Sequence, residues 1–308
     1  MKIIFLGTAD FGIPTLKKII ENNHEILCVV TVPDKPQGRG LQLVPSPIKS
    51  IALEKNLKIL QPQKLKDESF INEVKLLEPE LGVVVAFRIL PVELYSIPKY
   101  GTINLHASLL PKYRGPAPIQ WALMNGETET GVTTFFLKEV VDTGNIILQE
   151  KVLIDHEDNF EVLYNKLSII GADLVLRTIQ RIEEGNFETL PQDDRLASFA
   201  PKITKEICRI NWERPAFEIY NQIRALSPIP AAFTFLDSKM IKIYKAKLTD
   251  ITSTKDCGTI EISNNYILVH TTDKLLSIVE LQVESRKRMS SQEFLRGYRN
   301  LIEAKRFS

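Results

Sequence analysis

Apolar and polar positions follow two rhythms along this chain. Through the first 189 residues, short apolar runs alternate with stretches of helical spacing. Lys2–Gly7, Glu25–Val32, Leu57–Leu60, Leu81–Phe87 and Gly101–His106 read as strands, with Leu81–Phe87 the most apolar. Asp10–Asn22, Pro47–Asn56, Glu68–Leu77 and Pro116–Asn125 read as helices, the first with Pro14 near its start, where proline is tolerated. Apolar strands separated by helices predict a parallel sheet covered on both faces. Gly131–Leu137 and Asn145–Ile154 are two more strands, separated by a tight turn at Val140–Gly144. A long amphipathic helix, about Phe160 to Glu184, closes this part of the chain.

The rhythm changes after Leu190–Ile203, a polar, irregular stretch with the composition of a linker. A helix over Pro215–Leu226 ends at Ser227-Pro-Ile-Pro230. Ala232–Leu236, Met240–Ala246, Thr259–Ile262, Tyr266–His270 and Leu275–Val283 then form five short strands with turns between them. That spacing predicts a small antiparallel barrel. Ser291–Asn300 is a final helix with a serine cap. The expected division is a domain over 1–189, a linker over 190–205 and a second domain over 206–308.

With 308 residues, two domains and a well-buried core are affordable. A hydrophobic fraction of 44% and a charged fraction of 25% exclude disorder, collagen and coiled coil. The apolar runs are too short to span a bilayer. Met1–Gly7 is too brief for a signal peptide, with Asp10 close behind, and serves as the first buried strand. Cys28, Cys208 and Cys257 are odd in number and scattered, which predicts reduced thiols in a cytoplasmic protein. The four histidines are isolated, so no metal site is expected. Gly7 to Gly12 lacks the glycine fingerprint of a dinucleotide site, and a dehydrogenase is set aside on that ground. The net charge of +1 is unevenly shared: residues 206–308 carry 16 basic against 12 acidic side chains, and residues 1–205 carry 23 against 26. An excess of that sign suits a polyanionic partner, and equally a solvated face.

Candidate chemistry gathers on Thr102–Gly115. Asn104 and His106 stand two apart, so on a strand they share one face while Ile103 and Leu105 take the other. An amide donor beside an imidazole can stabilise an oxyanion and move a proton, although such a pair also occurs as a hydrogen-bonded structural feature. Ser108–Gly115 leaves the strand as a loop stiffened by Pro111. Ligands in open α/β sheets bind beyond the carboxyl ends of strands, where the Phe87-Arg88 corner and the Asn104/His106 end both fall. Asp142 sits in the Val140–Gly144 turn, with Gly144 supplying flexibility. Pro33–Pro45 is long for an α/β connection and presents Lys35 and Arg39, the latter between Gly38 and Gly40. Such a loop suits a phosphate backbone, or is a plain exposed turn.

Five stretches carry a family resemblance. Pro33-Asp-Lys-Pro-Gln-Gly-Arg-Gly40 with Pro45-Ser-Pro47, Ile103–Gln120, Asp142-Thr-Gly144, Pro201–Glu206 with Ile210-Asn-Trp212, and Arg224–Ala231 together resemble the methionyl-tRNA formyltransferases from end to end. The Asn…His…Asp pattern is common to folate-dependent formyltransferases and implies the chemistry. The loop, linker and barrel imply the acceptor. One departure is Ala86-Phe-Arg-Ile-Leu-Pro91, where many relatives carry a tyrosine-glycine pair and one more residue.

The resemblance implies an α/β, Rossmann-like formyltransferase domain followed by an OB-like β-barrel. It implies formyl transfer from 10-formyltetrahydrofolate to the amino group of methionyl-initiator tRNA by a cytoplasmic monomer, with no metal and no membrane. Asn104 would orient and hydrogen-bond the oxyanion. His106 would share that role if protonated or relay a proton if neutral, and Asp142 would hold its charge state and help deprotonate the amine. Ser108, Leu109, Leu110, Pro111, Phe87 and Arg88 would surround the folate. Lys35, Arg39, Lys202, Lys205, Arg286, Lys287 and Arg288 would contact tRNA. The rival readings are a formyltransferase acting on a small amine, such as a sugar nucleotide or glycinamide ribonucleotide, and a non-catalytic RNA-binding protein. A small acceptor needs neither the Lys35–Arg39 loop nor the barrel, and an RNA-binding module needs no Asn104, His106 and Asp142 together.

Overall fold

The computed structural model describes residues 1–37, 42–185, 187–302 and 305–308. The chain divides into two compact units, one of residues 1–118, 129–153 and 164–200, the other of residues 119–128, 154–163 and 201–308.

In the first unit the strands are β1 (Lys2–Gly7), β2 (Glu25–Val30), β3 (Lys35–Gln37), β4 (Gln42–Val44), β5 (Ile59–Leu60), β6 (Leu81–Val85), β7 (Thr102–His106), β8 (Glu129–Phe136) and β9 (Ile146–Leu153). Helices α1 (Ile13–Glu21), α2 (Pro47–Glu54), α3 (Glu68–Leu76) and α4 (Val92–Tyr95) intervene along the chain; α5 (Pro118–Met124) falls almost wholly in the second unit, and α6 (Phe160–Glu184) mostly in the first. Seven strands make one sheet in the order β5-β2-β1-β6-β7-β8-β9. The run from β5 to β7 is parallel, whereas β8 pairs antiparallel with β7 and with β9. The sheet is therefore mixed: parallel through β5–β7, as the strands alternating with helices predict, and antiparallel at β8 and β9. For β8 and β9 the physical reason is the connection, since they are joined without a crossover helix and only antiparallel neighbours can be joined so; β7 and β8 are antiparallel even though α5 lies between them.

The strands are buried because they are apolar on both faces; Ile3, Phe5, Val83, Val85 and Ile103 are wholly enclosed. One face packs Ile4, Leu6, Val30 and Val84 on Phe70, Val74 and Leu94. Helix starts follow local chemistry. Ser46 accepts from Lys49 N ahead of α2, with Pro47 at its first position, and Asp67 accepts from Ser69 N and Phe70 N ahead of α3. The expected loop at Pro33–Pro45 contains a short hairpin, β3 against β4, with Lys35 opposite Val44.

The second unit holds α7 (Lys205–Cys208), α8 (Ala216–Leu226), β10 (Ala232–Leu236), β11 (Lys239–Thr252), β12 (Ile260–Ser263), β13 (Tyr266–His270), β14 (Lys274–Val283), β15 (Met289–Ser290) and α9 (Ser291–Ile302). The strands form an antiparallel sheet, β10-β11-β14-β13-β12, with β15 on β14. β11 runs well past the Met240–Ala246 expected of it. Near the C-terminus, Phe307 bridges Leu236 and Arg306 bridges Thr259, so the tail touches both outer strands' neighbourhoods. Trp212 lies under this tail, stacked on Phe307 at 5.6 Å and bonded through its indole N–H to Thr234 Oγ1 at 2.9 Å. Ser290 and Glu293 form a reciprocal capping box at the start of α9. No helix among the described residues is long and apolar enough to cross a membrane.

Candidate active site

Asn104 and His106 stand on β7, flanked by β6 and β8; Asn104 lies opposite Val84 on one side and Phe135 on the other. Ile103 and Leu105 between and beside them are buried on the opposite face, and Leu105 packs so closely on Gly171 of α6 that a Cβ there would come within 2.7 Å of its Cδ2. Burial of that alternate pair fixes the register that gives Asn104 and His106 a common face.

His106 is buried, and its Nε2 lies 2.9 Å from the carbonyl oxygen of Tyr113. A carbonyl only accepts, so Nε2 carries the hydrogen and Nδ1 is left for chemistry. Nδ1 lies 3.8 Å from Asp142 Oδ2. The same Oδ2 accepts a hydrogen bond from Gly115 N at 2.8 Å. The short segment Tyr113–Gly115 thus holds the imidazole with one backbone group and the carboxylate with another. Tyr113 and Asp142 both take left-handed backbone, at φ +61° and +57°, which L-residues adopt only where surroundings enforce it.

Asn104 is half-buried and lines a cleft with Phe87, Arg88, Tyr95, Leu137 and Asp142. No protein hydrogen-bond partner for its carboxamide is found among the described residues, so the donor is available to a ligand oxygen. Arg88 shapes the floor: its guanidinium donates to Pro62 O at 3.0 Å and Gln63 O at 3.2 Å and covers the Phe87 ring at 5.2 Å. Burial lowers the Arg88 pKa from the usual arginine value. In the segment that departs from the family pattern, Ala86 turns the chain with φ +49°.

Of the six residues expected around folate, Phe87 and Arg88 line this cleft, and Ser108, Leu109, Leu110 and Pro111 are not among its walls. Ser108 is fully buried, and its hydroxyl donates to Lys112 O at 2.6 Å. Leu110 packs on Phe135 and Ile146. The Leu110–Pro111 bond is cis. Thr133 on β8 ties this loop down: its hydroxyl donates to Ser108 O at 2.6 Å and accepts from Leu110 N at 3.2 Å and Gln149 Nε2 at 2.9 Å. That uses the hydroxyl's whole bonding capacity. Gln149 also donates to Leu110 O at 2.8 Å. Neither Thr133 nor Gln149 is singled out by the sequence reading. The available signal was the threonine-rich make-up of β8, whose Thr130, Thr133 and Thr134 are all buried.

The basic residues fall into separate groups. Lys35 is exposed on β3, and Arg39 lies outside the described residues. Lys49 on α2 pairs with Asp34 at the foot of this hairpin, where Thr31 Oγ1 and Ser46 Oγ also meet at 2.7 Å. Lys202 and Lys205 are exposed at the start of the second unit's long segment, and Arg286, Lys287 and Arg288 on the turn between β14 and β15. Arg288 covers the Tyr244 ring at 4.5 Å and pairs with Glu280. No ion pair is found for Arg286 or Lys287 among the described residues.

Comparison with known proteins agrees along the whole length. Residues 1–179 match the family model described as formyl transferase, and residues 202–299 match formyl transferase, C-terminal domain. The methionyl-tRNA formyltransferase of Clostridioides difficile is 46% identical over 305 residues, covering 98% of this chain and 98% of that protein. Among solved structures, WlaRD, a sugar 3N-formyl transferase, superposes with a TM-score of 0.69 at 24% identity, covering 93% of this chain and 99% of that one. HypX from Aquifex aeolicus superposes with a TM-score of 0.68 at 18% identity; this chain is covered to 98% but spans only 48% of HypX. These last two likenesses concern the fold. The two family models and the full-length identity decide membership: the chain belongs to the formyl transferase family, among the methionyl-tRNA formyltransferases.

Proposed function

We propose that this chain transfers the formyl group of 10-formyltetrahydrofolate to the α-amino group of methionyl-initiator tRNA, giving formylmethionyl-tRNA for translation initiation. The observation that carries the chemistry is the convergence of Asn104 and Asp142 on one cleft, with the His106 imidazole 3.8 Å from that carboxylate. The amine lone pair attacks the formyl carbon, and the carbonyl π pair moves to oxygen. Asn104 donates to that oxygen as charge develops there. His106, its Nε2 hydrogen spent on Tyr113, meets the site through Nδ1. Asp142 takes the proton the amine must lose, directly or through water. Collapse of the intermediate breaks the bond to folate nitrogen N10, which leaves with the proton that Asp142 took from the amine.

Phe87 and Arg88 serve as folate contacts on the cleft, and Ser108, Leu109, Leu110 and Pro111 as folate contacts on the loop that leaves β7. The acceptor assignment is supported by the full-length likeness to methionyl-tRNA formyltransferases, second domain included. In this reading residues 1–189 are catalytic, 190–205 join, and 206–308 form an OB-like barrel that binds tRNA. The C-terminal bridges to Leu236 and Thr259 support the barrel by linking its edge strands' ends. Lys35, Arg39, Lys202, Lys205, Arg286, Lys287 and Arg288 meet phosphates, which positions the tRNA and makes binding weaken with salt. The enzyme acts as a cytoplasmic monomer.

The test is formylation by purified protein with 10-formyltetrahydrofolate and methionyl-initiator tRNA, beside free methionine and a thymidine-diphosphate amino sugar. Product only on the charged tRNA is the expected result. Formylation of the amino sugar alone transfers the protein to the small-amine class.

A further inference from the structure

We infer that Gln192, in the segment that follows α6, is a positioning residue for Asp142, and that Arg114 sets Gln192 in place. This rests on the proposed roles of Asp142 and His106. The Asp142 carboxylate is held by Gly115 N, but the approach to the turn is open to solvent. Val140 and Val141 on its approach are 65% and 46% exposed, and the Asp142 backbone sits at φ +57°. Gln192 Nε2 donates to Asp142 O and to Gly144 O, both at 2.8 Å. One amide group thereby grips the backbone on both sides of Thr143. Gln192 Oε1 accepts from Arg114 Nε at 3.0 Å and from Nη2 at 2.7 Å. Arg114 can only donate and the two carbonyls can only accept, so the ends of the Gln192 amide cannot be exchanged.

The segment 190–200 reaches the other half of the site as well. Arg114 N donates to Ser198 O at 2.9 Å, Ala200 N to Arg114 O at 2.7 Å, and Tyr113 N to Ser198 Oγ at 2.9 Å. Tyr113 and Gly115 are the residues that hold His106 and the Asp142 carboxylate. This stretch, which reads as a polar linker, is a strap across the two loops that hold the candidate catalytic pair. Arg114 is itself buried, and its second acceptor, Asp194 at 2.8 Å, is 80% exposed. Surface pairs of that kind contribute little, so the bidentate bond to Gln192 is the specific one.

The experiment compares full-length Gln192→Glu, Gln192→Ala and Asp142→Asn in steady-state formylation, with KM for 10-formyltetrahydrofolate and for charged initiator tRNA, and thermal unfolding alongside. Gln192→Glu keeps an acceptor for Arg114 but turns oxygen lone pairs toward two carbonyls, so it isolates the clamp from the strap's stability. Both Gln192 variants are expected to lose about 10- to 100-fold in kcat, the scale of a small misplacement of a reacting group, with each KM within about twofold. Adding Arg114→Met to Gln192→Ala should cost no further kcat, since the two act as one unit. Wild-type kcat in folded Gln192→Glu overturns the inference, provided Asp142→Asn is impaired. Wild-type kcat in Asp142→Asn overturns the reading of Asp142 and this inference with it.

Discussion

Among the described residues Asn104 offers its carboxamide to the cleft with no protein partner, so its removal strands no described buried group. Asn104→Ala should lower kcat by about 10²- to 10³-fold, the usual effect of losing one oxyanion donor. Its unfolding free energy should change by less than about 1 kcal/mol, because no hydrogen bond among the described residues depends on the amide. Steady-state rates beside thermal denaturation check both, and undiminished turnover in the folded variant removes Asn104 from the chemistry. The three residues Asn104, His106 and Asp142 were legible in the sequence because amide, imidazole and carboxylate stood in matching motifs. Their supports were not. Thr133, Gln149 and Gln192 act on backbone carbonyls, and a carbonyl has no letter in the sequence. Gln192 lies 50 positions from the Asp142 carbonyl it holds.

Among the elements, the Asp142-Thr-Gly144 turn changes meaning most between sequence and structure. The sequence predicts flexibility at Gly144. Instead a Cβ there would come within 1.6 Å of Phe136 O, so the glycine permits close approach of two chain segments. Gly144→Ala must therefore push the turn off β8 and carry Asp142 with it. It should destabilise the protein by about 1–3 kcal/mol, as overpacking does, and lower kcat more than Asn substitution of Thr143, whose hydroxyl donates to Val140 O within its own turn. Denaturant titration and kinetics on both variants decide it; a stable, active Gly144→Ala means the turn tolerates displacement. Element existence was easy to read here and direction was not. Alternating apolar runs mark β8 and β9, but whether a strand runs parallel or antiparallel depends on the connection. The far half of β11 escaped because Leu248 and Ile251, its two apolar residues, stand three apart, out of step with the period of a strand, and both are exposed.

At the scale of the molecule, the C-terminal tail anchors the second unit's sheet: Phe307 is 3% exposed, stacked on Trp212, and Ser308 exchanges backbone hydrogen bonds with Phe235. Phe307→Ala should cost about 3–5 kcal/mol, the range for emptying a buried aromatic site. The loss should appear as lower denaturation resistance, and a variant as stable as the parent would show that the tail closes nothing. By itself the sequence determined two domains, the order of most strands and helices, the face shared by Asn104 and His106, and the family. It could do so because side-chain periodicity and motif chemistry are local properties. Only the tertiary structure decided that the sheet is mixed, that Tyr113 O fixes the His106 tautomer, and that residues 190–200 strap the candidate site. Those facts are hydrogen bonds between main-chain groups distant in sequence, which every residue carries alike and which only folding pairs.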